Sequence, residues 1–167
     1  MLATAATVFP AAAIVPGPPA ALVPDRPVDT GALDWVPLSA GLSAKPLAYE
    51  AGYTGYQALL RVEPGTVVAR HRHTGEVHAY HLSGQRLLID TGEVVGPGAY
   101  VYEPPGNVDT WSAVGDQPLI IQVVVHGAVE YLDDADQVVQ RVTTSALVEH
   151  YRRYCEANGL PMADLFA

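Results

Sequence analysis

Residues 69–84 read "ARHRHTGEVHAYHLSG", a stretch that holds four of the six histidines in a chain with only nine Lys and Arg. On a strand, side chains two apart emerge on one face, separated by about 6.6 Å along the chain. His71 and His73 therefore aim together at one point, and Arg70 and Arg72 face the other way. Imidazole nitrogens bind transition metals at about 2.0–2.1 Å, so the pair supplies two ligands of a centre that needs at least a third and an open position. On this pair alone, metal ligands and two solvent-facing strand histidines are equally good readings.

The surroundings of the stretch are strand-like. "YQALLRVE", "TVVAR", "VHAYHL", "RLLID", "EVV", "AYVYE", "PLIIQVVVH", "AVEYL" and "QVVQRV" are short runs rich in Val, Ile and Tyr. They are punctuated by Pro64-Gly65, Ser83-Gly84, Thr91-Gly92, Gly96-Pro97-Gly98 and Pro104-Pro105-Gly106. Many short strands at close spacing predict an all-β sandwich or barrel. Helical period occurs only in "TTSALVEHYRRYCEANGLP", where Leu147, Tyr151, Tyr154 and Cys155 share a face. Thr144 or Ser145 is the expected cap, and Gly159 with Pro161 the stop. The expected organisation is a Pro/Ala-rich arm over residues 1–30, a barrel over 31–142, and a helix with its tail over 143–167, packed on the barrel's outside.

At 167 residues, with 49% apolar and 16% charged side chains, the chain is long and hydrophobic enough for one packed core. Its formal charge of −9 opposes a phosphate backbone and an anionic membrane surface, so neither nucleic acid nor membrane is an expected partner. Cys155 is the single cysteine, which rules out an intramolecular disulfide and suits a reducing compartment; a cytoplasmic location is expected. The apolar start "MLATAATVFPAAAIVPGPPA" lacks a basic residue before Arg26 and is broken by Pro10 and Pro16, unlike a secretory leader.

Two spacings frame the histidines. Gly65, five residues, then His71-Arg72-His73 form one; Gly98, five residues, then Pro104-Pro105-Gly106, two residues and Asp109 form the other. This double pattern resembles the two motifs of the cupin superfamily. The resemblance implies a double-stranded β-helix, or jelly-roll barrel, with a C-terminal helix and a metal at its centre. Two positions depart from the usual pattern: Val77 stands where many cupins place a glutamate ligand, and Asp109 where they place the second motif's histidine. The ligand set implied is His71, His73 and Asp109.

A narrower resemblance, from about Trp35 to Gly159, is to cupin dioxygenases that cleave a carbon–carbon bond beside a carbonyl. These are 2,4'-dihydroxyacetophenone dioxygenase and, more distantly, acetylacetone dioxygenase. It is carried by "WVPL", "LLRVEPGTV", "RHRHTGEVHAYHLSG", "YVYEPPG", "GAVEYLD" and "HYRRYCEANGL". It implies Fe(II), with O2 and a small hydroxyketone or β-dicarbonyl as substrates, and a homodimer. Zinc, nickel and manganese suit the same donors. A carboxylate at position 109 is compatible with iron, because two histidines and one carboxylate make the facial triad of non-haem oxygenases.

Further residues join the candidate site. Glu103, where the acetylacetone-cleaving relatives also carry a glutamate, can ligate, orient a histidine or accept a proton, and is expected behind the ligands. His78 and Tyr80 share a face opposite His81, and the expectation is that His78 and Tyr80 point inward, towards substrate. His126 is expected in the pocket, as a substrate contact or a replacement ligand, with a plain strand terminus as the alternative; Trp111, Tyr100 and Tyr102 are expected in the core or pocket wall. His150 and Cys155 are expected to be structural. The functional expectation is an Fe(II) dioxygenase. The alternatives are a non-catalytic metal- or ligand-binding cupin for sensing or storage, and a metal-free isomerase or lyase.

Overall fold

In "LIIQVVVH" Leu119, Ile121, Val123 and Val125 are buried, and Ile120, Gln122, Val124 and His126 are half-covered. This is the period of two that separates the faces of a strand. The same logic repeats through a computed structural model that describes residues 26–166. Its strands are β1 (Val36–Ser39), β2 (Leu42–Tyr49), β3 (Gly55–Val62), β4 (Val67–His73), β5 (Val77–Ser83) and β6 (Gln85–Leu88). They continue with β7 (Glu93–Val95), β8 (Tyr100–Glu103), β9 (Val108–Val114), β10 (Leu119–His126), β11 (Val129–Leu132) and β12 (Val138–Val142), followed by helix α1 (Thr144–Asn158).

The strands form two six-stranded antiparallel sheets, ordered β1-β2-β3-β10-β5-β8 and β12-β11-β4-β9-β6-β7. This is the expected jelly roll. Among the described residues, seven of the eleven connections between consecutive strands cross from one sheet to the other, so the two inner faces enclose one core built from Ala58, Val62, Val68, Ala79, Trp111, Ile121 and their neighbours. Gly84 ends β5 with φ 71°, and a Cβ there would lie 2.6 Å from the Leu119 backbone. Only glycine allows the chain to turn there so close to the central strand.

Strands β1, β2 and β9 lie outside the runs expected from sequence. β1 and β2 carry Pro37 and Pro46, and β2 has a register shift between Pro46 and Ala48, as a strand tolerates proline at irregularities. β9 contains Asp109, Thr110 and Ser112, polar residues that mask its strand character.

Helix α1 is capped by Thr143, one residue before the expected cap, whose Oγ1 accepts from the Ala146 N–H at 3.2 Å. It stops at Gly159 in the left-handed conformation, with Leu160 N–H donating to the Cys155 carbonyl. Tyr151 and Cys155 pack with Val36, Tyr49 and Leu165 in a second apolar cluster. The tail returns to the first sheet, where Tyr49 N–H donates to Leu165 O. Residues 1–25 of the expected arm lie outside the described residues. Among the described residues no helix is long and apolar enough to cross a membrane.

Candidate metal centre

β4 carries an irregularity that sets the site. Val68 pairs with Trp111 and His71 with Asp109, so three steps on β4 match two on β9, a β-bulge at Ala69-Arg70. Without it, strict alternation from buried Val68 would turn Arg70 and Arg72 inward. With it, His71 and His73 are buried, while Arg70 pairs with Asp136 and Arg72 with Glu130 on the outer side. The bulge also places the Ala69 carbonyl 2.8 Å from His71 Nδ1, so that nitrogen donates and Nε2 presents its lone pair.

The turn Pro104-Pro105-Gly106-Asn107 brings two acids to these imidazoles. Gly106 N–H donates to the His73 carbonyl at 2.8 Å and His73 N–H to the Asn107 carbonyl at 3.2 Å, so the turn is fastened to β4. Glu103 closes β8 before the turn and Asp109 enters β9 after it. His71 and His73 Nε2 are 3.1 Å apart; His71 Nε2 lies 3.5 Å from Asp109 Oδ1 and His73 Nε2 lies 3.2 Å from Glu103 Oε2. Glu103 is the cross-strand partner of Val77. The acid thus stands one strand away from the position where the cupin pattern places its glutamate.

Arg86, which sequence reasoning did not single out, organises both acids. It is 2% exposed, and one guanidinium nitrogen donates to Glu103 Oε1 at 2.9 Å and to Asp109 Oδ2 at 2.7 Å. Its guanidinium carbon sits 4.6 Å from the centre of the Trp111 ring, a cation–π arrangement. The signal in the sequence was an arginine in the apolar run "RLLID", at the same strand parity as Leu88. Two buried acids also require a cation nearby.

Each carboxylate therefore spends one oxygen on Arg86. The other oxygens, Glu103 Oε2 and Asp109 Oδ1, are buried without a hydrogen-bond partner. Burial lowers the pKa of His73 to about 4, with His71 and Arg86 acting in the same direction against Glu103, so its ring is neutral at pH 7. Burial, with Glu103 adding to it, raises Asp109 despite the opposing charge of Arg86.

Among the described residues no group of three or more His, Cys, Asp or Glu side chains stands as a ready-made metal site. The four approach pairwise instead. Ligands at 2.0–2.2 Å from a common ion lie about 2.9–3.6 Å from each other, and the pair distances above fall in that range. Two imidazole Nε2 atoms and two bare carboxylate oxygens at those separations fit a divalent cation chemically.

The centre opens into a cavity of about 570 Å³, within the usual size for a small-molecule site. Its wall includes Val77, Ala79, Trp111, Ile121, Val123 and Tyr131. Leu38, Arg141, Leu147 and His150 also line it, so β1, β12 and the start of α1 border the space. His150 is fixed by Nε2 to the Pro37 carbonyl at 2.7 Å. Helix α1 thus contributes to the cavity as well as packing on the barrel.

Trp111 lies in this wall, where expected. His78 and Tyr80 do not: the facing of β5 is the reverse of the expectation. His81 is buried, with Nδ1 near the Ala99 carbonyl, while Tyr80 is 46% exposed and His78 bonds Tyr100 on the outer face. The buried partners of His81 in β5 are Val77 and Ala79, and their small apolar side chains set the inner parity. Burial also lowers the pKa of His81. Tyr100 and Tyr102, expected in the core or wall, are exposed on the same outer face. His126 also points outward, following the parity of β10, and lies 3.3 Å from Glu50.

Solved structures share this architecture. An RmlC-like cupin protein from Ralstonia eutropha JMP134 is 25% identical, with a TM-score of 0.80, over 87% of this chain and 96% of that one. An acetylacetone dioxygenase from Acinetobacter johnsonii is 12% identical, with a TM-score of 0.67, over 83% and 97%. The anti-sigma factor ChrR of Rhodobacter sphaeroides, solved with SigE, is 20% identical, with a TM-score of 0.50, over 56% and 50%. No curated protein matches the chain in sequence. Glycine-framed histidines, the double-sheet barrel and the acids at its centre agree with a sequence match over residues 24–130, and the chain belongs to the ChrR cupin-like domain family of the cupin superfamily.

Proposed function

We propose that the chain is a divalent-metal-dependent dioxygenase that cleaves a carbon–carbon bond next to a carbonyl in a small hydroxyketone or β-dicarbonyl substrate. The observation that carries this reading is the pair of imidazole Nε2 atoms 3.1 Å apart in the wall of a largely apolar cavity, with the unpaired Asp109 Oδ1 3.5 Å from one of them. His71, His73 and Asp109 would hold the ion. When bound, Fe(II) would supply Lewis acidity toward the substrate's oxygens and the redox partner that O2 requires.

The chain's own residues prepare that chemistry. The Ala69 carbonyl fixes the His71 tautomer, and the low pKa of His73 keeps its lone pair free of a proton. Arg86 holds both acids by one oxygen each, which fixes the direction of the other. Val77, Ala79, Ile121 and Val123 receive the apolar body of a substrate and exclude water from it. A homodimer belongs to the same proposal, supported by Tyr80, Leu82, Tyr100 and Tyr102, which are exposed on the outer face of the first sheet.

The test is oxygen uptake by metal-stripped protein reconstituted anaerobically with Fe(II). Uptake stoichiometric with a 2-hydroxyacetophenone or a β-diketone, lost in His71→Ala together with the iron, is the expected outcome. Iron-loaded protein that consumes no O2 with either class overturns the dioxygenase. A second reading, a metal-binding cupin that senses rather than catalyses, draws support from the match to the ChrR cupin-like family; it predicts retained metal with no turnover.

A further inference from the structure

We infer that Glu103 and Asp109 both ligate the cation, making a two-imidazole, two-carboxylate centre whose acids are oriented by Arg86. The inference rests on the metal-binding part of the proposed function and adds a fourth ligand to it.

Glu103 and Asp109 are treated alike by their surroundings. Each gives one oxygen to the same guanidinium nitrogen of Arg86, at 2.9 and 2.7 Å, and each keeps a second oxygen buried and bare. Each bare oxygen faces a different imidazole: Oε2 lies 3.2 Å from His73 Nε2 and Oδ1 lies 3.5 Å from His71 Nε2. A buried acceptor without a donor is destabilising, and more so when charged. Two of them beside two imidazoles are an unfavourable arrangement for a cavity wall and a suitable one for a cation.

Burial favours Glu103 over Asp109 as a ligand. Glu103 is 4% exposed and its side chain has no solvent to turn towards, whereas the Asp109 side chain is 15% exposed. The two acids approach from different sheets, β8 and β9, across the turn fastened to His73, so they flank the imidazoles instead of competing for one position. With a divalent ion bound, the two carboxylates and Arg86 leave the centre with one net positive charge, and without the ion Arg86 offsets one of the two acids. Paired nitrogen and oxygen donors suit Mn(II), Fe(II) and Co(II) in preference to soft Cu(I).

The experiment titrates metal-stripped full-length protein with Co(II), followed by its visible absorption, and with Mn(II), followed by the electron paramagnetic resonance of the free ion. Glu103→Gln keeps an acceptor for Arg86 while removing the ligating charge, and Asp109→Asn does the same at the other acid. Both variants are expected to weaken binding by more than the roughly 10- to 100-fold that loss of an outer-shell partner costs, and to alter the Co(II) spectrum. Unchanged affinity and spectrum in Glu103→Gln, with loss in Asp109→Asn, overturns the fourth ligand and leaves the proposed function standing. Wild-type protein that binds neither metal overturns both. Should Glu103→Gln fail to fold by circular dichroism, a crystal structure of Co(II)-loaded wild type decides. Oε2 at about 2.0–2.2 Å from the ion sustains the inference, and an ion seated on the histidines with Oε2 outside its coordination sphere refutes it.

Discussion

The cavity's two walls come from the two sheets, and they carry opposite chemistry. The second sheet contributes His71, His73, Arg86 and Trp111, with Asp109 bonded to Arg86; the first contributes Val77, Ala79, Ile121, Val123 and Val125, with Glu103 at the end of its edge strand β8. Both walls follow alternation, and the bulge at Ala69-Arg70 of β4 is the irregularity that turns the two imidazoles inward. Polar groups can be buried on the second sheet because Arg86 and the two acids compensate one another across β6, β8 and β9. The first sheet sends His78, Tyr80 and Gln122 outward, and apart from buried His81 and Glu103 its inner face is apolar. The contrast assigns binding of charge to one wall and binding of shape to the other.

Removing the cation from the charged wall tests this most severely. Arg86→Met leaves Glu103 and Asp109 buried together without their counter-charge, and is expected to destabilise the metal-free fold by about 3–5 kcal/mol in urea denaturation. Saturating Mn(II) should restore part of that loss, since one cation substitutes for another. A variant as stable as wild type in the absence of metal would mean the second sheet tolerates bare acids, and the contrast between walls would lose its basis.

A smaller effect comes from pH. His73 has a folded pKa of about 4 against 6.5 unfolded. The unfolded chain therefore takes up the proton first, so the stability contributed by His73 is full above about pH 6.5 and is lost as pH falls towards 4. The whole shift corresponds to about 3 kcal/mol. The raised pKa of Asp109 acts with the opposite sign, because protonation relieves a buried charge, and it tempers the loss at the acid end. His73→Gln should flatten the metal-free stability profile between pH 4 and 6.5, as measured by thermal melts.

The apolar wall is tested by filling it. Ala79→Leu intrudes on the cavity without touching a charged group, and is expected to weaken substrate binding by about 10-fold with metal content unchanged. Equal loss of metal would show that the two walls are not separable. The least effect belongs to the outer face. Tyr80→Ala is expected to change stability by about 0.5 kcal/mol or less and to leave oxygen uptake unaltered, while Tyr100→Glu should shift the proposed dimer to monomer in sedimentation.

Much of the barrel was legible in the chain because apolar alternation and glycine turns are local signals. "LIIQVVVH" and "AVEYL" lie within or around strands of the jelly roll, and the C-terminal helix follows its apolar face. β9 escaped notice because "VDTWSAV" places a candidate ligand among strand residues, so the chemistry obscured the pattern. The approach of His71 and His73 was readable from their spacing, and Asp109 from the motif it completes.

Residue types and their order set the number of strands that could bury a face, the net negative charge of the chain, and the pairing of two histidines two apart. Which face of β5 turned inward, that Arg86 bridges two acids, and that Glu103 stands opposite His73 depended on contacts between residues distant in the chain. Alternation specifies two faces without saying which is inner, and the bulge in β4 shows that one extra residue reverses the answer. A buried charge is acceptable only where another strand supplies its partner, and that partner is chosen when the two sheets close on one another.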